Sequence, residues 1–369
     1  MMFDTTVAVF GAPGRYVQGP GSIRLVGDCA ASLGDAAVLV VDAMVREMVA
    51  DHVAPACAAA GVDLAVLPFA GQLGAATAAD LLARLDGRVR TVIAAGGGRA
   101  IDAGKALAER IGGGLITLPT VASNDAPTSK NFVLYDDHHR LLEVRHLPRN
   151  PDFVIVDTAI LSRAPRALFR AGLGDAIAKK FEAEACMAAQ GANMFAARPT
   201  RLACAIAQSC HDQLVRHAAA AWQVAGTGTV TEDFEAAVEA MILMAGLGFE
   251  SGGLSLPHAM TRGIPLLPGA AEVPHGLQVA WALLIHFRVI GRHPPAELIE
   301  LYRATGLPLT LADLGVTAPS DRDLAAMARA SLAARHARNM PFAVDEAMLV
   351  AAVRANEAGL GLPVVTAGE

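Results

Sequence analysis

The sequence has no uncharged apolar run of about eighteen residues, the length that a membrane-spanning helix needs, because Gly and Pro interrupt its longest candidates. It has no basic excess either, since 30 Lys and Arg stand against 36 Asp and Glu and give a formal charge of −6. This balance does not favour binding to nucleic acid or to an anionic membrane. The first residues lack a basic segment and carry Asp4 early, unlike a signal peptide. We therefore expect a cytoplasmic protein that binds neither nucleic acid nor membrane.

Paired cysteines are also missing. The five cysteines, at positions 29, 57, 186, 204 and 210, form no C-x-x-C pair, and their number is odd. This scattered set is typical of free thiols in a reducing compartment. We predict buried cysteines without a catalytic role.

Short apolar runs of strand length alternate with alanine-rich helical segments between residues 37 and 118. Continuous apolar strands separated by helices predict a parallel sheet covered on both faces. After about residue 160 helical patterns follow one another without a convincing strand. The sequence therefore predicts an N-terminal α/β domain over 1–160 and a helical domain over 161–369. The expected strands are 37–42, 64–69, 91–96, 114–119 and 153–157, with a hairpin over 132–146.

Three glycines in "AAGGGRAIDAGKALA" (94–108) separate a buried strand from a helix. Backbone N–H groups can approach a pyrophosphate there, and the helix dipole favours its charge. The spacing is not G-x-G-x-x-G, so a tight turn that needs positive φ is the alternative. Asp42 ends an earlier strand, where it could hold a ribose hydroxyl. Because Asp42 precedes the glycines, its spacing alone favours a helix cap or turn.

The loop "LPTVASNDAPTSKN" (118–131) follows another predicted strand and is rich in hydroxyl groups, with Asp125 in its middle. Ligands of parallel sheets bind at the carboxyl ends of strands, which makes this loop a candidate site. Clusters of Ser, Asn, Asp and Pro also make ordinary turns. Both interpretations stay open from the residues alone.

Asp175 follows two glycines at the predicted start of a helix, where an N-cap is the simplest interpretation. His258 and His275 lie in an apolar stretch, 256–278, with only two charged side chains. Each histidine could be a core residue, a helix-end residue or a metal ligand. No H-E-x-x-H or other short ligand spacing is present, so spacing does not decide between these roles.

The order of these pieces resembles the iron-containing alcohol dehydrogenase superfamily and, within it, the glycerol dehydrogenases. The resemblance implies an N-terminal parallel-sheet dinucleotide-binding domain and an all-helical metal-binding domain, the architecture of dehydroquinate synthases. It covers nearly the whole chain in order. The stretches that carry it are "RYVQGPGSI" (15–23), "GGGRAIDAGKALA" (96–108), "PTVASNDAPTS" (119–129), "VIVDT" (154–158), "AGLGDAIAKKFEA" (171–183), "GFESGGLSLPHA" (248–259), "HGLQVA" (275–280), "GLPLTLADLG" (306–315) and "NMP" (339–341).

The resemblance implies NAD as cofactor and one divalent metal bound by Asp175, His258 and His275. Zinc is the expected metal and iron the alternative, because imidazole and carboxylate ligands suit both. Three protein ligands would leave an open position for the substrate. Asp125 would face the substrate and join the three ligands as a catalytic residue. The implied cofactor-binding residues are Asp42, Gly96, Gly97, Gly98, Arg99, Ala100, Ile101, Asp102, Thr120, Val121, Ala122, Ser123, Ser129, Asn131 and Tyr135.

One departure concerns the substrate. The family commonly has H-A-x-H-N-G after the first histidine, whereas this chain has "HAMTRG" (258–263), with Thr261 for an imidazole and Arg262 for an asparagine. If Arg262 points into the active site it could hold a carboxylate or phosphate, and otherwise it is a solvated charge.

The predicted reaction is NAD- and metal-dependent oxidation of a polyol, glycerol or another vicinal diol, to a hydroxyketone, or the reverse reduction. Arg262 supports an alternative substrate, a 2-hydroxy acid or a phosphorylated polyol. A dehydroquinate-synthase-like lyase is a further alternative, but such enzymes hold a phosphate with basic residues, often lysines, and this chain has no lysine after Lys180. We expect a homo-oligomer that acts on a small molecule.

Overall fold

The computed structural model describes residues 3–135 and 141–359, which form two compact units. The sheet unit contains Gly11–Phe169 and Val224–Gly246. The helical unit contains Met1–Phe10, Arg170–Gln223 and Leu247–Glu369. Each unit is thus assembled from separate stretches of chain. The predicted division of the chain into two continuous domains, 1–160 and 161–369, stays a prediction.

The sheet unit is built on a six-stranded parallel sheet with the order β1-β8-β5-β4-β2-β3. Its inner strands are apolar on both faces, as the sequence predicts for a sheet covered by helices. A separate antiparallel pair consists of β6 and β7, and residues 136–140 of the predicted hairpin lie outside the described residues. The strands are β1 Arg15–Gln18, β2 Ala36–Asp42, β3 Asp63–Phe69, β4 Thr91–Gly96, β5 Gly114–Pro119, β6 Asn131–Tyr135, β7 Leu141–His146 and β8 Phe153–Val156.

Helices dominate the rest of the chain, which confirms the predicted fold class. Among the described residues after 160, strand-like pairing is limited to an isolated bridge between Ala8 and Arg198. The α-helices are α1 Val26–Ala31, α2 Arg46–Ala59, α3 Thr77–Leu82, α4 Gly98–Ile111, α5 Thr158–Leu161, α6 Arg166–Ala176, α7 Lys179–Ala188, α8 Arg201–Val224, α9 Glu232–Glu239, α10 Ala245–Gly252, α11 Leu256–Met260, α12 His275–Val289, α13 Ala296–Thr305, α14 Asp321–Ala333 and α15 Glu346–Glu357.

The segment 224–246 packs within the sheet unit through one carboxylate and one aromatic ring. Glu235 accepts hydrogen bonds from the Gln18 amide and the Thr158 hydroxyl, each at 2.6 Å. Phe234 stacks on Phe169 with ring centroids 5.5 Å apart. The chain then passes through a π-helical turn, Ala240–Met244, before α10 begins.

The helical unit is organised around α12, in which every residue after His275 is buried. A helix that is apolar on all sides belongs in the interior of a packed unit. Tyr302 is fully buried against α12 and donates its hydroxyl to the Ala280 carbonyl at 2.7 Å. The five cysteines are free thiols. No single helix in 3–135 and 141–359 is long and apolar enough to cross a membrane. One bent pair of helices has the required length and apolar composition when the two helices are counted together.

Candidate functional site

Three side chains from distant parts of the sequence converge in the helical unit. Asp175 Oδ1 lies 3.1 Å from His258 Nε2 and 3.8 Å from His275 Nε2. One ligand atom from each residue can be chosen so that all three lie within 4.8 Å of one another. Asp175 is buried, whereas the His275 side chain is 53% exposed, so the cluster is open on one side. One carboxylate and two imidazoles form a donor set that suits zinc or ferrous iron.

Two glycines allow α6 and α12 to meet backbone to backbone beside these ligands. A Cβ on Gly276 would lie 1.8 Å from the Ala171 carbonyl oxygen and 3.0 Å from the Asp175 nitrogen. A Cβ on Gly174 would lie 2.4 Å from the Gly276 carbonyl oxygen. The glycines that neighbour Asp175 and His275 in the sequence therefore let the two helices approach closely enough to bring the ligands together.

The interpretation of Asp175 as a helix-starting cap is wrong. Asp175 is the second-last residue of α6, and the next helix, α7, begins only at Lys179. The glycines in "AGLGD" are helical residues at a close helix contact and do not mark a turn before a helix.

Glu182 on α7 orients His258, and it was not predicted from the sequence. Its Oε2 lies 2.6 Å from His258 Nδ1, while its Oε1 accepts the backbone N–H groups of Ser255 and His258 at 3.0 and 3.1 Å. Burial raises the pKa of Glu182, but the charge and hydrogen bond of His258, together with the charge of Lys179 and the Ser255 N–H, leave that pKa below its ordinary value. A carboxylate on Nδ1 fixes the ring and leaves Nε2 for a metal. The available sequence signal was an acidic residue in an otherwise alanine-rich helix.

Lys179 is a second residue that was not predicted from the sequence. It is fully buried and contacts two of the three proposed ligand residues. Its Nζ donates to Asp175 Oδ1 at 3.0 Å and lies 3.2 Å from His258 Nε2. Burial raises the pKa of Asp175, yet the charge of Lys179 and the contact with His258 hold it well below its ordinary range. For His258 burial lowers the pKa, because it disfavours the charged imidazole. The Glu182 carboxylate outweighs this effect and raises the pKa of His258 to about 9. In the sequence Lys179 is only one half of a Lys-Lys pair.

Arg262 is exposed on the helical unit and lies near Arg335. Burial lowers the pKa of Arg335, and the positive charge of Arg262 adds to that effect. Thr261, which stands where the family commonly has an imidazole, donates its hydroxyl to the His258 carbonyl at 2.8 Å. The predicted contact between Arg262 and a substrate stays a prediction.

In the sheet unit, the predicted cofactor-binding residues meet at the carboxyl ends of neighbouring strands. Asp42 ends β2, Gly96 ends β4, and Gly96 is paired with Pro119 at the end of β5. A Cβ on Gly96 would lie 2.8 Å from the Asp42 Cβ, and Gly96 has φ of 139°. The strand order places the topological switch point between β2 and β4, where nucleotides bind in doubly wound sheets. The carboxylate of Asp42 also caps the following turn by accepting the Met44 N–H at 3.0 Å.

The start of α4 offers both a helix N-terminus and a buried carboxylate. Gly97 precedes the helix and Gly98 is its first residue, so backbone N–H groups lie there without intrahelical acceptors. The side chains of Ala100 and Ile101 are buried in the core. Asp102 accepts the Val133 N–H with one oxygen at 3.1 Å. Its buried Oδ1 accepts no hydrogen bond in the described part of the chain but lies 3.8 Å from the Lys105 ammonium. Burial raises the pKa of Asp102 to about 6.

Buried contacts fix the loop 118–131. Lys105, another residue missed from the sequence, donates its Nζ to the carbonyls of Ala126 and Asn131, both at 2.6 Å. The Thr128 hydroxyl lies 3.0 Å from the Asp125 carbonyl and 3.1 Å from the Ile242 carbonyl in the π-helical turn. These contacts hold Asp125, which is 8% exposed, in a defined place.

The hydroxyl groups of the loop occupy different environments. Thr120 and Ser129 are buried, whereas Ser123 is partly exposed. The side chain of Tyr135 lies outside the described part of the structure. The sheet unit thus contains Asp125 and the predicted cofactor residues, and the helical unit contains Asp175, His258 and His275.

The sequence is similar to proteins of known activity. The family described as iron-containing alcohol dehydrogenase matches residues 13–158. A glycolaldehyde reductase of Halobacterium salinarum is 36% identical over 351 residues, 93% of this chain and 95% of that protein. A glycerol dehydrogenase of Citrobacter freundii is 34% identical over 351 residues, 94% of this chain and 96% of that protein.

Solved structures of the same kind share the fold. The crystal structure of glycerol dehydrogenase from Schizosaccharomyces pombe superposes with a TM-score of 0.91 at 27% identity, covering 97% of this chain and 92% of that one. A probable glycerol dehydrogenase from Sinorhizobium meliloti gives a TM-score of 0.88 at 29% identity, covering 95% and 99% of the two chains.

Proposed function

The chain belongs to the iron-containing alcohol dehydrogenase family, and we propose that it interconverts a vicinal diol and the corresponding hydroxycarbonyl compound with NAD. Glycerol carries adjacent hydroxyls, and glycolaldehyde becomes a vicinal diol when its carbonyl is reduced. The two relatives therefore support one substrate class. They favour this reaction over the alternatives of a 2-hydroxy acid, a phosphorylated polyol or a dehydroquinate-synthase-like lyase.

The convergence of Asp175, His258 and His275 is the observation on which this function mainly rests. These residues would hold one divalent ion, for which we propose zinc over iron. When bound, such an ion supplies Lewis-acid chemistry that lowers the pKa of a substrate hydroxyl. The exposed side of His275 leaves room for the substrate, and Glu182 keeps Nε2 of His258 available to the ion.

The carboxyl edge of the sheet would hold the cofactor. We propose that Gly97 and Gly98, at the start of α4, accommodate the pyrophosphate and that Asp42 accepts from the adenosine ribose. The buried Oδ1 of Asp102 supports a hydrogen-bond donor from the cofactor at this edge. NAD supplies the hydride acceptor, and the fixed loop 118–131 restricts how the cofactor and substrate are oriented.

Asp125 is proposed as the residue that selects vicinal diols. A carboxylate can accept a hydrogen bond from the hydroxyl beside the reacting one, which a simple monoalcohol lacks. Arg262 is kept as a second candidate substrate contact. A cytoplasmic location and a homo-oligomeric state stay predictions from the sequence.

The test is NAD reduction by the purified protein after loading with zinc or with ferrous iron. Glycerol and 1,2-propanediol should be oxidised with a higher kcat/KM than 1-propanol, lactate or glycerol phosphate, and NAD should be preferred to NADP because Asp42 repels a 2′-phosphate. His275→Ala should still bind NAD but lose the metal and turnover. A fully active, metal-free His275→Ala protein would contradict the metal role, and lactate or glycerol phosphate as the best substrate would contradict the diol assignment.

A further inference from the structure

A buried lysine lies among the three residues that we assign to the metal. We propose that Lys179 is an internal cation that competes with the divalent metal for Asp175 and His258. This inference rests on the proposed metal site and adds a residue that holds the site together when no metal is bound. It also predicts that the lysine side chain must move when the metal enters.

The competition follows from the hydrogen bonds. Because Glu182 engages Nδ1 of His258, the ring offers Nε2 to any other partner. The ammonium of Lys179 lies 3.2 Å from that Nε2 and 3.0 Å from Asp175 Oδ1. An ammonium this close to both atoms repels a divalent ion that binds them. The metal and the Lys179 ammonium therefore need the same two atoms.

Charge supports the same conclusion. Asp175 and Glu182 are two buried carboxylates within one small cluster, and a buried carboxylate needs a counter-charge. Lys179 supplies one without any metal, and its Nζ also lies 5.2 Å from the centroid of the Phe249 ring, within cation–π range. A divalent ion at the same ligands would be repelled by an ammonium left in place.

The Lys179 side chain has the flexibility to move away from the two ligand atoms. Lys179 is the first residue of α7, and its ammonium is carried on a flexible four-carbon stem that can adopt other rotamers. Its withdrawal exposes Asp175 Oδ1 and His258 Nε2 without moving the helix backbone. Metal binding thus includes the cost of displacing a well-held cation, so the affinity is lower than that of the same three ligands alone.

The experiment compares zinc affinity and thermal stability in the wild type and three variants. Lys179→Met removes the charge and keeps the length, Lys179→Gln keeps a polar group without the charge, and Lys180→Met removes the neighbouring, half-buried lysine as a matched control. Zinc affinity is measured by competition with a chromophoric chelator, and the Tm is measured for metal-free and zinc-loaded protein.

We expect Lys179→Met and Lys179→Gln to bind zinc about tenfold more tightly or better, because a repelling and competing cation is gone. The Tm of their metal-free forms should fall, since Asp175 loses a buried partner, so zinc should raise their Tm more than it raises that of the wild type. Lys180→Met should match the wild type in both measurements.

Zinc binding of unchanged or lower affinity in both folded Lys179 variants would overturn the competition while leaving the metal site intact. Absence of zinc binding by the wild type and by every variant would overturn the competition together with the metal site. The two failures are therefore distinct. Binding that is lost only in His275→Ala supports the site and makes the Lys179 comparison decisive.

Discussion

Adding one methyl group at Gly276 should separate the proposed metal ligands Asp175 and His275. In Gly276→Ala the new Cβ would start 1.8 Å from the Ala171 carbonyl oxygen, and this contact must lengthen to at least 3.0 Å because real Cβ atoms essentially never come closer. The obstacle is backbone, which cannot rotate away like a side chain. The start of α12 must therefore move by more than about 1 Å relative to α6, whereas metal–ligand distances tolerate only about 0.2 Å.

Stability should change less than metal binding. Alanine favours a helix over glycine by up to about 1 kcal/mol, and overpacking costs about 1–3 kcal/mol, so the net effect is a modest loss. His275, next to the substitution, moves with α12, while Asp175 stays with α6. We expect a folded protein with a slightly lower Tm that has lost most of its zinc affinity.

The assay measures zinc per chain after equilibrium dialysis, together with the Tm of the metal-free protein. Gly87→Ala is the matched control, because a Cβ there meets nothing within 4 Å and Gly87 has no positive φ. It should bind zinc like the wild type. A Gly276→Ala protein that binds zinc with wild-type affinity would refute the claim that the helix approach at this glycine sets the ligand geometry.

Three further changes test the surroundings of the two sites. Glu182→Gln should weaken zinc binding by about 10- to 100-fold in a chelator competition, because the His258 ring loses its charged partner, and unchanged affinity would contradict that role. Thr128→Val should lower the Tm and raise KM for the diol, since a buried carbonyl loses its donor, and Thr128→Ser should restore both. The pKa of Asp102 is about 6 in the folded protein, against an ordinary value of 3.8, so the folded state binds more protons between these values. The free energy of unfolding should therefore fall by about 2 kcal/mol as pH rises from about 4 to about 6. Asp102→Asn should remove that fall in urea unfolding at the two pH values, and parallel pH profiles of variant and wild type would contradict the buried carboxylate.

The parallel sheet was predictable from the sequence because its inner strands are buried on both faces. Runs such as residues 37–42 and 91–96 have no polar face, and such runs separated by helices fit few other arrangements. The edge strand β1 was missed because its four residues, "RYVQ", mix polar and apolar side chains and become a strand only by pairing with β8. The helix boundary at Asp175 was misjudged because glycine marks either a turn or a close helix contact, and only tertiary packing distinguishes the two.

The charged residues around the proposed metal ligands were harder to predict. Lys179 and Glu182 occur in a helix with other charges, and periodicity alone cannot separate a solvated charge from a buried one. A buried charge is tolerated only beside a partner, and His258, which contacts both residues, is 76 positions from Glu182 and 79 from Lys179. Lys105 could not be predicted for the same reason. Its hydrogen-bond acceptors are carbonyls of the loop 118–131, and the residues of that loop predict only a turn.

The contact between α6 and α12 at Gly174 and Gly276 also affects the electrostatic surroundings of Asp175. Their close approach brings the end of α6 to the first turn of α12, so the Asp175 carboxylate lies near the positive end of a helix dipole. The same dipole disfavours a protonated imidazole at His275, the first residue of α12, and therefore favours the neutral form that can bind a metal. The two glycines thus determine the distance between the proposed ligands and bring the Asp175 carboxylate to the start of α12. A larger residue at either position would disturb both properties at once, which explains why such small residues neighbour Asp175 and His275.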